Sequence, residues 1–156
     1  MSKSEFGRIC EDFVSHLVES KTGLTVSNLN DRSSNYPTTD LLVTDEASGV
    51  EYEISVKAKK KSVWPAVKGI YQDNQYIVFV DIYRVEAPTF YILNNEQWQK
   101  VLRDIQSYRE DGSEIIRGAL EWNWIEGGKP KRFRGSLLKV KDVEKYINNW
   151  EALPVG

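Results

Sequence analysis

The first part of the chain carries a helical pattern followed by a strand-like one. From about Glu5 to Glu19 the apolar residues recur at helical spacing and share one half of a helical wheel. They are Phe6, Ile9, Cys10, Phe13, Val14, Leu17 and Val18. Thr22-Gly23 is a typical helix stop. The pattern therefore predicts a helix, then a short strand over Leu24 to Leu29 and a polar loop over Asn30 to Thr38.

Strand patterns dominate the next fifty residues. Asp40 to Thr44 and Val50 to Lys59 flank a turn-forming segment, Asp45 to Gly49, and together predict a β-hairpin. Tyr76 to Tyr83 is almost continuously apolar, which is typical of a strand buried on both faces. Thr89 to Leu93 is expected to be its neighbour in the sheet.

Helical spacing then returns. Asn94 or Asn95 is expected to cap a helix from about Glu96 to Arg109, because Trp98, Val101, Leu102 and Ile105 share one of its faces. Ala119 to Ile125 and Leu137 to Val140 are weaker segments that suit strands or irregular structure. A final helix is predicted over Asp142 to Leu153.

This order of elements predicts one α/β domain over residues 1–156, because no repeat or Gly/Pro/Ser-rich linker divides the chain. Its core would span about residues 5–110 and a C-terminal extension about residues 111–156. A helix, a run of strands and further helices favour a mixed β-sheet flanked by helices.

Composition narrows the classes of function. With 40% apolar and 28% charged residues the chain is typical of a soluble globular protein, and no apolar run approaches the roughly 20 residues of a membrane span. The N-terminus lacks a signal-peptide pattern, so a cytoplasmic location is expected. One His and one Cys exclude an internal disulfide and a zinc site of His/Cys ligands. Any catalysis would rest on carboxylates, lysines and hydroxyls, a set that suits Mg²⁺.

The net charge of −2 combines an acidic first third with two basic clusters. The first contains Lys57, Lys59, Lys60 and Lys61, and the second includes Lys129, Lys131, Arg132 and Arg134. Such clusters are either solvated faces or binding surfaces for a polyanion. In the second cluster the cations lie among Trp122, Trp124 and Phe133, as on single-strand-binding surfaces. A β-hairpin with a charged tip at Gly127-Gly128 is the alternative interpretation.

Candidate chemistry lies along the second strand of the hairpin, whose residues alternate strictly between two faces. Tyr52, Ile54, Val56 and Ala58 share one face, and Glu51, Glu53, Ser55, Lys57 and Lys59 share the other. The hairpin brings Asp40 beside this polar row. Glu11 lies at the border of the apolar stripe of the first helix, from which it can reach a site between helix and sheet. An ordinary hairpin with its polar face in water explains the same alternation.

The order Glu11, Pro37-x-x-Asp40 and a hairpin strand ending in x-x-Lys57 resembles the PD-(D/E)xK phosphodiesterase superfamily. This is the restriction-endonuclease-like fold, which includes Holliday-junction resolvases. The resemblance covers roughly Phe6 to Leu93, including the segment YIVFVDIY followed by APTFYIL. It implies a metal-dependent DNA endonuclease that uses Mg²⁺ or Mn²⁺. By the same resemblance, Asp40 would be the main metal ligand, Lys57 the catalytic lysine and Glu11 the support for a metal-bound water.

One position departs from the family pattern. The second acidic ligand of the family lies two residues before the lysine, where this chain has Ser55. Glu53 lies on the same face about 7 Å further along the strand and is a candidate replacement ligand. Alternatively, Glu11 and Asp40 suffice with more water ligands, or metal binding has been lost.

Three hypotheses follow. The first is a DNA endonuclease whose phosphate-binding residues include Lys59, Lys60, Lys61, Lys131, Arg132 and Arg134; a homodimer would suit cleavage of both strands. The second is a catalytically inactive protein of the same fold that binds nucleic acid or a protein partner, for example in restriction, phage defence or counter-defence. The third is an unrelated α/β interaction domain, in which Glu11, Asp40 and Lys57 would not converge.

Overall fold

A computed structural model describes residues 3–29 and 39–155 of the chain. These residues form a single mixed α/β domain with three α-helices and ten strands. The helices are α1 (Lys3–Thr22), α2 (Asn95–Arg109) and α3 (Val140–Val143). The strands are β1 (Thr25–Asn28), β2 (Leu41–Asp45), β3 (Val50–Lys59), β4 (Trp64–Val67), β5 (Gln75–Asp81), β6 (Thr89–Asn94), β7 (Glu114–Ile116), β8 (Ala119–Glu126), β9 (Lys129–Arg134) and β10 (Ser136–Leu138).

The central sheet has five strands in the order β1-β2-β3-β5-β6. Only β3 and β5 are parallel, and the other neighbours are antiparallel. The neighbouring strands β2 and β5 pair with different parts of β3. β2 pairs with β3 as far as Ile54, whereas β5 pairs with it from Glu53 to Lys59. The hairpin therefore opens into a fork at Ser55, and the second half of β3 extends beyond β2.

Each face of the sheet has its own apolar core. On one face, Val14 and Val18 of α1 pack against Ile54 and Val56 of β3. On the other face, Trp98, Val101, Leu102 and Ile105 of α2 pack against the opposite side chains of β5 and β6. Strand β5 is buried along its whole length because it serves both cores. The capping box at Asn94, in which its side chain accepts from the Gln97 amide, fixes the start of α2.

Two small sheets cover the α2 side of the domain. One pairs β10 with β4, and the other contains β7, β8 and β9. Gly118 joins the second of these to the core. Its φ is +75°, and a Cβ there would lie 2.0 Å from the Ile70 carbonyl oxygen, so only glycine fits. The Gly118 carbonyl accepts from the Gly69 amide at 3.0 Å and from the Trp98 indole at 2.8 Å.

Most predicted elements are confirmed by this structure. They include α1, β1, the β2–β3 hairpin, β5, β6, α2 and the hairpin turn between β8 and β9. The observed bounds of α1 and β1 differ from the predicted ones, Glu5 to Glu19 and Leu24 to Leu29, by only a few residues at each end. The polar loop predicted over Asn30 to Thr38 lies outside the described residues, and so does Pro37. Strands β4 and β7 were not predicted; both are short, and β4 contains Pro65.

The predicted final helix over Asp142 to Leu153 is wrong. After α3 the chain continues only as two single 3₁₀ turns, Glu144–Tyr146 and Trp150–Ala152. Between them Ile147 forms a β-bridge with Tyr91, and the Asn148 amide donates to the Phe90 carbonyl at 2.8 Å. Docking onto the edge of β6 therefore replaces the helical hydrogen bonds. Among the described residues no helix is long and apolar enough to cross a bilayer.

Candidate active site

The fork between β2 and β3 is filled by the side chain of Asp40. Its backbone amide still donates to the Ile54 carbonyl at 3.1 Å, as in a continuing strand. Its carboxylate then accepts from the Val56 amide at 2.7 Å, at the point where the pairing of β2 with β3 has ended. A side-chain oxygen thus satisfies a backbone donor of β3 that has lost its strand partner. These bonds hold the Asp40 carboxylate at the open edge of β3.

Helix α1 supplies a second carboxyl group at the same point. Glu11 lies on the border of the helix face that packs on the sheet, and it is half-buried. A hydrogen bond joins the Glu11 and Asp40 side chains. Burial, with the neighbouring Asp40 and Asp12, raises the pKa of Glu11 to about 8, while Arg8 opposes the shift. We call Glu11 and Asp40 the carboxyl pair.

The pKa of Asp40 is also raised, mainly because its carboxyl is buried. Three contacts oppose that shift: the Val56 amide, the positive charge of Lys57 and the hydrogen bond from Glu11. The hydrogen bond between the two carboxyl groups raises the pKa of Glu11 and lowers that of Asp40. Lys57 on β3 is near enough for its charge to lower the pKa of Asp40. Asp40 thus has Glu11 of α1 as its hydrogen-bond partner and the charge of Lys57 from β3 in its neighbourhood.

Ser55 and Glu53 do not add a third carboxylate to this group. Ser55 is buried, and in the strand register it lies beside Ile77 of β5. Glu53 accepts a short hydrogen bond from the Thr39 hydroxyl and lies 3.5 Å from the side-chain amide nitrogens of Asn74 and Gln75. In residues 3–29 and 39–155 no three His, Cys, Asp or Glu side chains are grouped so that they could hold a metal ion. The expectation that Glu53 reaches back to Asp40 is therefore not met.

The carboxyl pair nevertheless fits a hard divalent cation by its donor chemistry. Mg²⁺ in proteins is held by one or two carboxylates, with water and substrate phosphate completing its shell. Two half-buried carboxyl groups that must share a proton are a costly arrangement in the absence of a cation. Glu11 and Asp40 are the residues that would hold it, because Glu53 is engaged with Thr39.

The first basic cluster divides into different environments. Lys60 and Lys61 are exposed, and the Lys60 ammonium lies 5.0 Å from the centre of the Phe6 ring on α1. Lys59 is buried instead and forms an ion pair with Asp81 at 2.9 Å. Its assignment as a phosphate-binding residue is therefore corrected. β4 crosses this face of β3, and the Trp64 ring lies 4.8 Å from the Lys59 ammonium.

The second basic cluster lies on the β8–β9 hairpin and is divided between two faces. Arg132 and Arg134 lie within 3.8 and 3.5 Å of the Glu121 carboxylate. The strand register places Lys131 opposite Trp124 on the other face. That face borders a groove of about 630 Å³, which we call the aromatic groove. It is lined mainly by Pro65, Arg109, Trp122, Trp124, Phe133 and Leu137.

Sequence reasoning identified the aromatic residues of this groove and the neighbouring Lys131 but missed Arg109 and Pro65. Those two residues lie on α2 and β4, far from the hairpin in the chain. No local pattern signals their approach, which depends on how β10 packs against β4. Thr39 was missed for the same reason, because its role depends on the hairpin register.

Comparison with known proteins adds no family. No protein-family model matches the chain, and no curated protein sequence matches it significantly.

Proposed function

We propose that this protein is a metal-dependent DNA endonuclease of the restriction-endonuclease-like type. The observation that carries the proposal is the convergence of Glu11, Asp40 and Lys57 at the fork between β2 and β3. The resemblance in sequence assigned roles to these three residues before their positions were considered. An unrelated interaction domain would leave them apart, so their meeting argues against that hypothesis.

The residues have separate roles in this proposal. Asp40, anchored by the Val56 amide, and Glu11 would hold Mg²⁺ or Mn²⁺. When bound, such a cation supplies charge for the phosphoryl oxygen and acidifies a water molecule. Lys57 contributes a positive charge beside the reacting phosphate, where negative charge develops during hydrolysis. Lys60 and Lys61, which lie in the segment directly after β3, bind the phosphates that flank the cleaved bond.

A second candidate is favoured by the position of Glu53. Glu53, the candidate replacement for the acidic ligand missing at Ser55, has Thr39, Asn74 and Gln75 as its hydrogen-bond partners. A site of only two carboxylates is compatible with a catalytically inactive relative that binds DNA or a protein partner. This candidate keeps the proposed fold and the basic surface but loses the chemistry.

Cleavage of plasmid and branched DNA distinguishes the candidates. We expect cleavage with Mg²⁺ or Mn²⁺, abolished by EDTA and reduced at least about 100-fold in Asp40→Ala. Glu51→Gln is the matched control, because Glu51 is an exposed carboxylate on the same hairpin. Cleavage that persists in Asp40→Ala would contradict the mechanism. Salt-sensitive DNA binding without cleavage under either metal would establish the inactive candidate.

Metal binding is measurable apart from cleavage. A ligand that binds only the folded state at 100 times its Kd stabilises a protein by about 2.7 kcal/mol. We expect Mn²⁺ to raise the Tm of the wild type and to leave that of Asp40→Asn unchanged. An equal rise in both proteins would place the metal elsewhere.

A further inference from the structure

We propose that the aromatic groove binds unpaired bases of single-stranded DNA. The choice of DNA rests on the proposed endonuclease function, whereas binding of a single strand rests on the groove alone. The groove lies on the other side of Pro65 from the first basic cluster and shares no residue with the carboxyl pair. It therefore adds a binding site to the candidate active site.

Aromatic side chains give the groove its floor. The register of β8 and β9 places Trp122 opposite Phe133 and Trp124 opposite Lys131, so all four side chains share one face. Trp124 is 44% exposed and Phe133 is 50% exposed, although both are large apolar residues that proteins usually cover. Open ring faces at this spacing suit the stacking of flat bases.

Packing within the protein positions the aromatic side chains of the groove without a ligand. Trp122 packs against Phe133 with ring centres 5.9 Å apart, and it also contacts the core formed around α2. Gly135 allows the chain after β9 to pass close to β4, because a Cβ at this position would lie 3.0 Å from the Ala66 backbone. A preformed groove loses little conformational entropy on binding.

The positive charges near the aromatic groove favour an anionic ligand. From Glu114 to Lys139 the chain carries six cations and three carboxylates, within a protein whose net charge is −2. Lys131 flanks Trp124, and at the opposite rim the Arg109 guanidinium is fixed by hydrogen bonds to Ser136 and to the Leu137 carbonyl. Cations at the rim of an aromatic floor match a strand with stacked bases and a phosphate backbone. A neutral apolar ligand would make no use of them.

The surface continues from the groove towards the carboxyl pair. Pro65 lines the aromatic groove and also a second pocket, which is bordered by Lys60, Lys61 and Gly7. Gly7 and Glu11 are one helical turn apart on α1 and therefore share a face. A strand whose unpaired end lies in the groove would pass Lys60 and Lys61 on its way to the proposed site of cleavage.

Binding of a fluorescein-labelled oligo(dT) to the whole protein in EDTA tests the inference, with fluorescence anisotropy as the readout. Because EDTA prevents cleavage, failure of this proposal and failure of the endonuclease proposal are distinguishable. We expect Trp124→Ala to raise the Kd about 5- to 100-fold and Trp124→Phe to retain most of the affinity. Ile125→Ala is the matched control, because Ile125 is 76% exposed on the opposite face of the same hairpin.

The salt dependence provides a second readout that does not depend on an aromatic substitution. Lys131→Ala should reduce the slope of log K against log salt by about 0.7, whereas Lys21→Ala on α1 should leave it unchanged. An unchanged Kd in Trp124→Ala together with an unchanged slope in Lys131→Ala would overturn the proposal. Equal affinity for a duplex of the same length, tighter binding of oligo(U), or binding of oligoproline in place of oligo(dT) would also overturn it.

Discussion

Strand β3 carries two lysines, two residues apart, in opposite electrostatic settings. Lys59 lies against a single buried carboxylate, Asp81, and the charges of this structural ion pair cancel. Lys57 acts on Asp40, whose carboxyl group is hydrogen-bonded to a second carboxyl group, that of Glu11. Both lysines come from the same alternating strand, so the difference arises from what the rest of the fold brings to each.

Both members of the ion pair between Lys59 and Asp81 make further polar contacts. Asp81 also accepts from the Tyr83 amide at 2.8 Å, and the Lys59 ammonium also donates to the Lys61 carbonyl at 3.2 Å. The rings of Trp64 and Tyr83 lie within 4.8 and 5.3 Å of that ammonium. These hydrogen bonds and the opposite charge offset the free-energy cost of burying each charged group.

The carboxyl pair lacks this balance. Burial is the largest cause of the raised pKa of both groups, and Arg8 beside Glu11 and Lys57 near Asp40 oppose it only in part. Clusters of titratable groups with shifted pKa values are concentrated at functional sites, because a missing charge is supplied by a ligand or cofactor. Strand β3 therefore stabilises the fold at Lys59, whereas at Lys57 it borders two carboxyl groups whose pKa values are raised.

The largest expected effect is on the structural ion pair. Asp81→Ala leaves the Lys59 ammonium buried without its counter-charge, so we expect a loss of about 3–5 kcal/mol in the free energy of unfolding, measured by urea denaturation. Asp104→Ala is the control, because it removes an exposed pair with Lys100 that is worth at most about 0.5 kcal/mol. Similar losses of unfolding free energy in Asp81→Ala and Asp104→Ala would contradict the structural role of the ion pair between Lys59 and Asp81.

Substitution of Lys57 should change the rate of DNA cleavage more than the free energy of unfolding. Lys57→Ala should lower the rate of DNA cleavage about 10²- to 10³-fold, because positive charge beside the reacting phosphate is lost. The free energy of unfolding should change by less than about 1 kcal/mol, since Lys57 is only half-buried. Lys60→Ala, on the adjacent loop, should weaken DNA binding and leave the cleavage rate at saturating DNA intact. Unfolding of Lys57→Ala would instead make this residue structural.

Glu11→Gln should remove the competition for a proton, and its effect depends on pH. The folded pKa of about 8 lies above the unfolded value, so the folded state binds the extra proton and wild-type stability falls as pH rises from about 4.5 to 8. The variant should therefore gain stability relative to the wild type across this range, on the order of 1 kcal/mol after discounting for solvent screening. Thermal unfolding of both proteins across this range checks the sign. A difference that does not vary with pH would contradict the shared proton.

The smallest expected effect belongs to Glu53→Gln. Glu53 bonds to Thr39 and lies outside the carboxyl pair, so we expect cleavage to remain within about threefold of wild type. A loss of 100-fold or more would restore Glu53 as the replacement for the ligand missing at Ser55. The exposed Glu51→Gln again serves as the control.

Prediction from sequence succeeded where the signal is local. The alternation of β3, the hairpin that delivers Asp40 and the helical wheel that places Glu11 at the sheet all depend on residues close together in the chain. Prediction failed where distant segments meet. The final helix gave way to pairing with β6, and Arg109 joined the aromatic groove from α2.

The residue types available for chemistry, and the face of each element that they share, follow from the sequence alone. It left carboxylates and lysines as the candidate chemistry, because one His and one Cys allow little else. Only the tertiary structure decided which lysine is structural. The parallel register of β3 with β5 pairs Lys59 with Asp81, and the fork at Ser55 leaves Lys57 near enough to Asp40 to lower its pKa. Strand register is a property of two segments together, so neither segment alone could specify it.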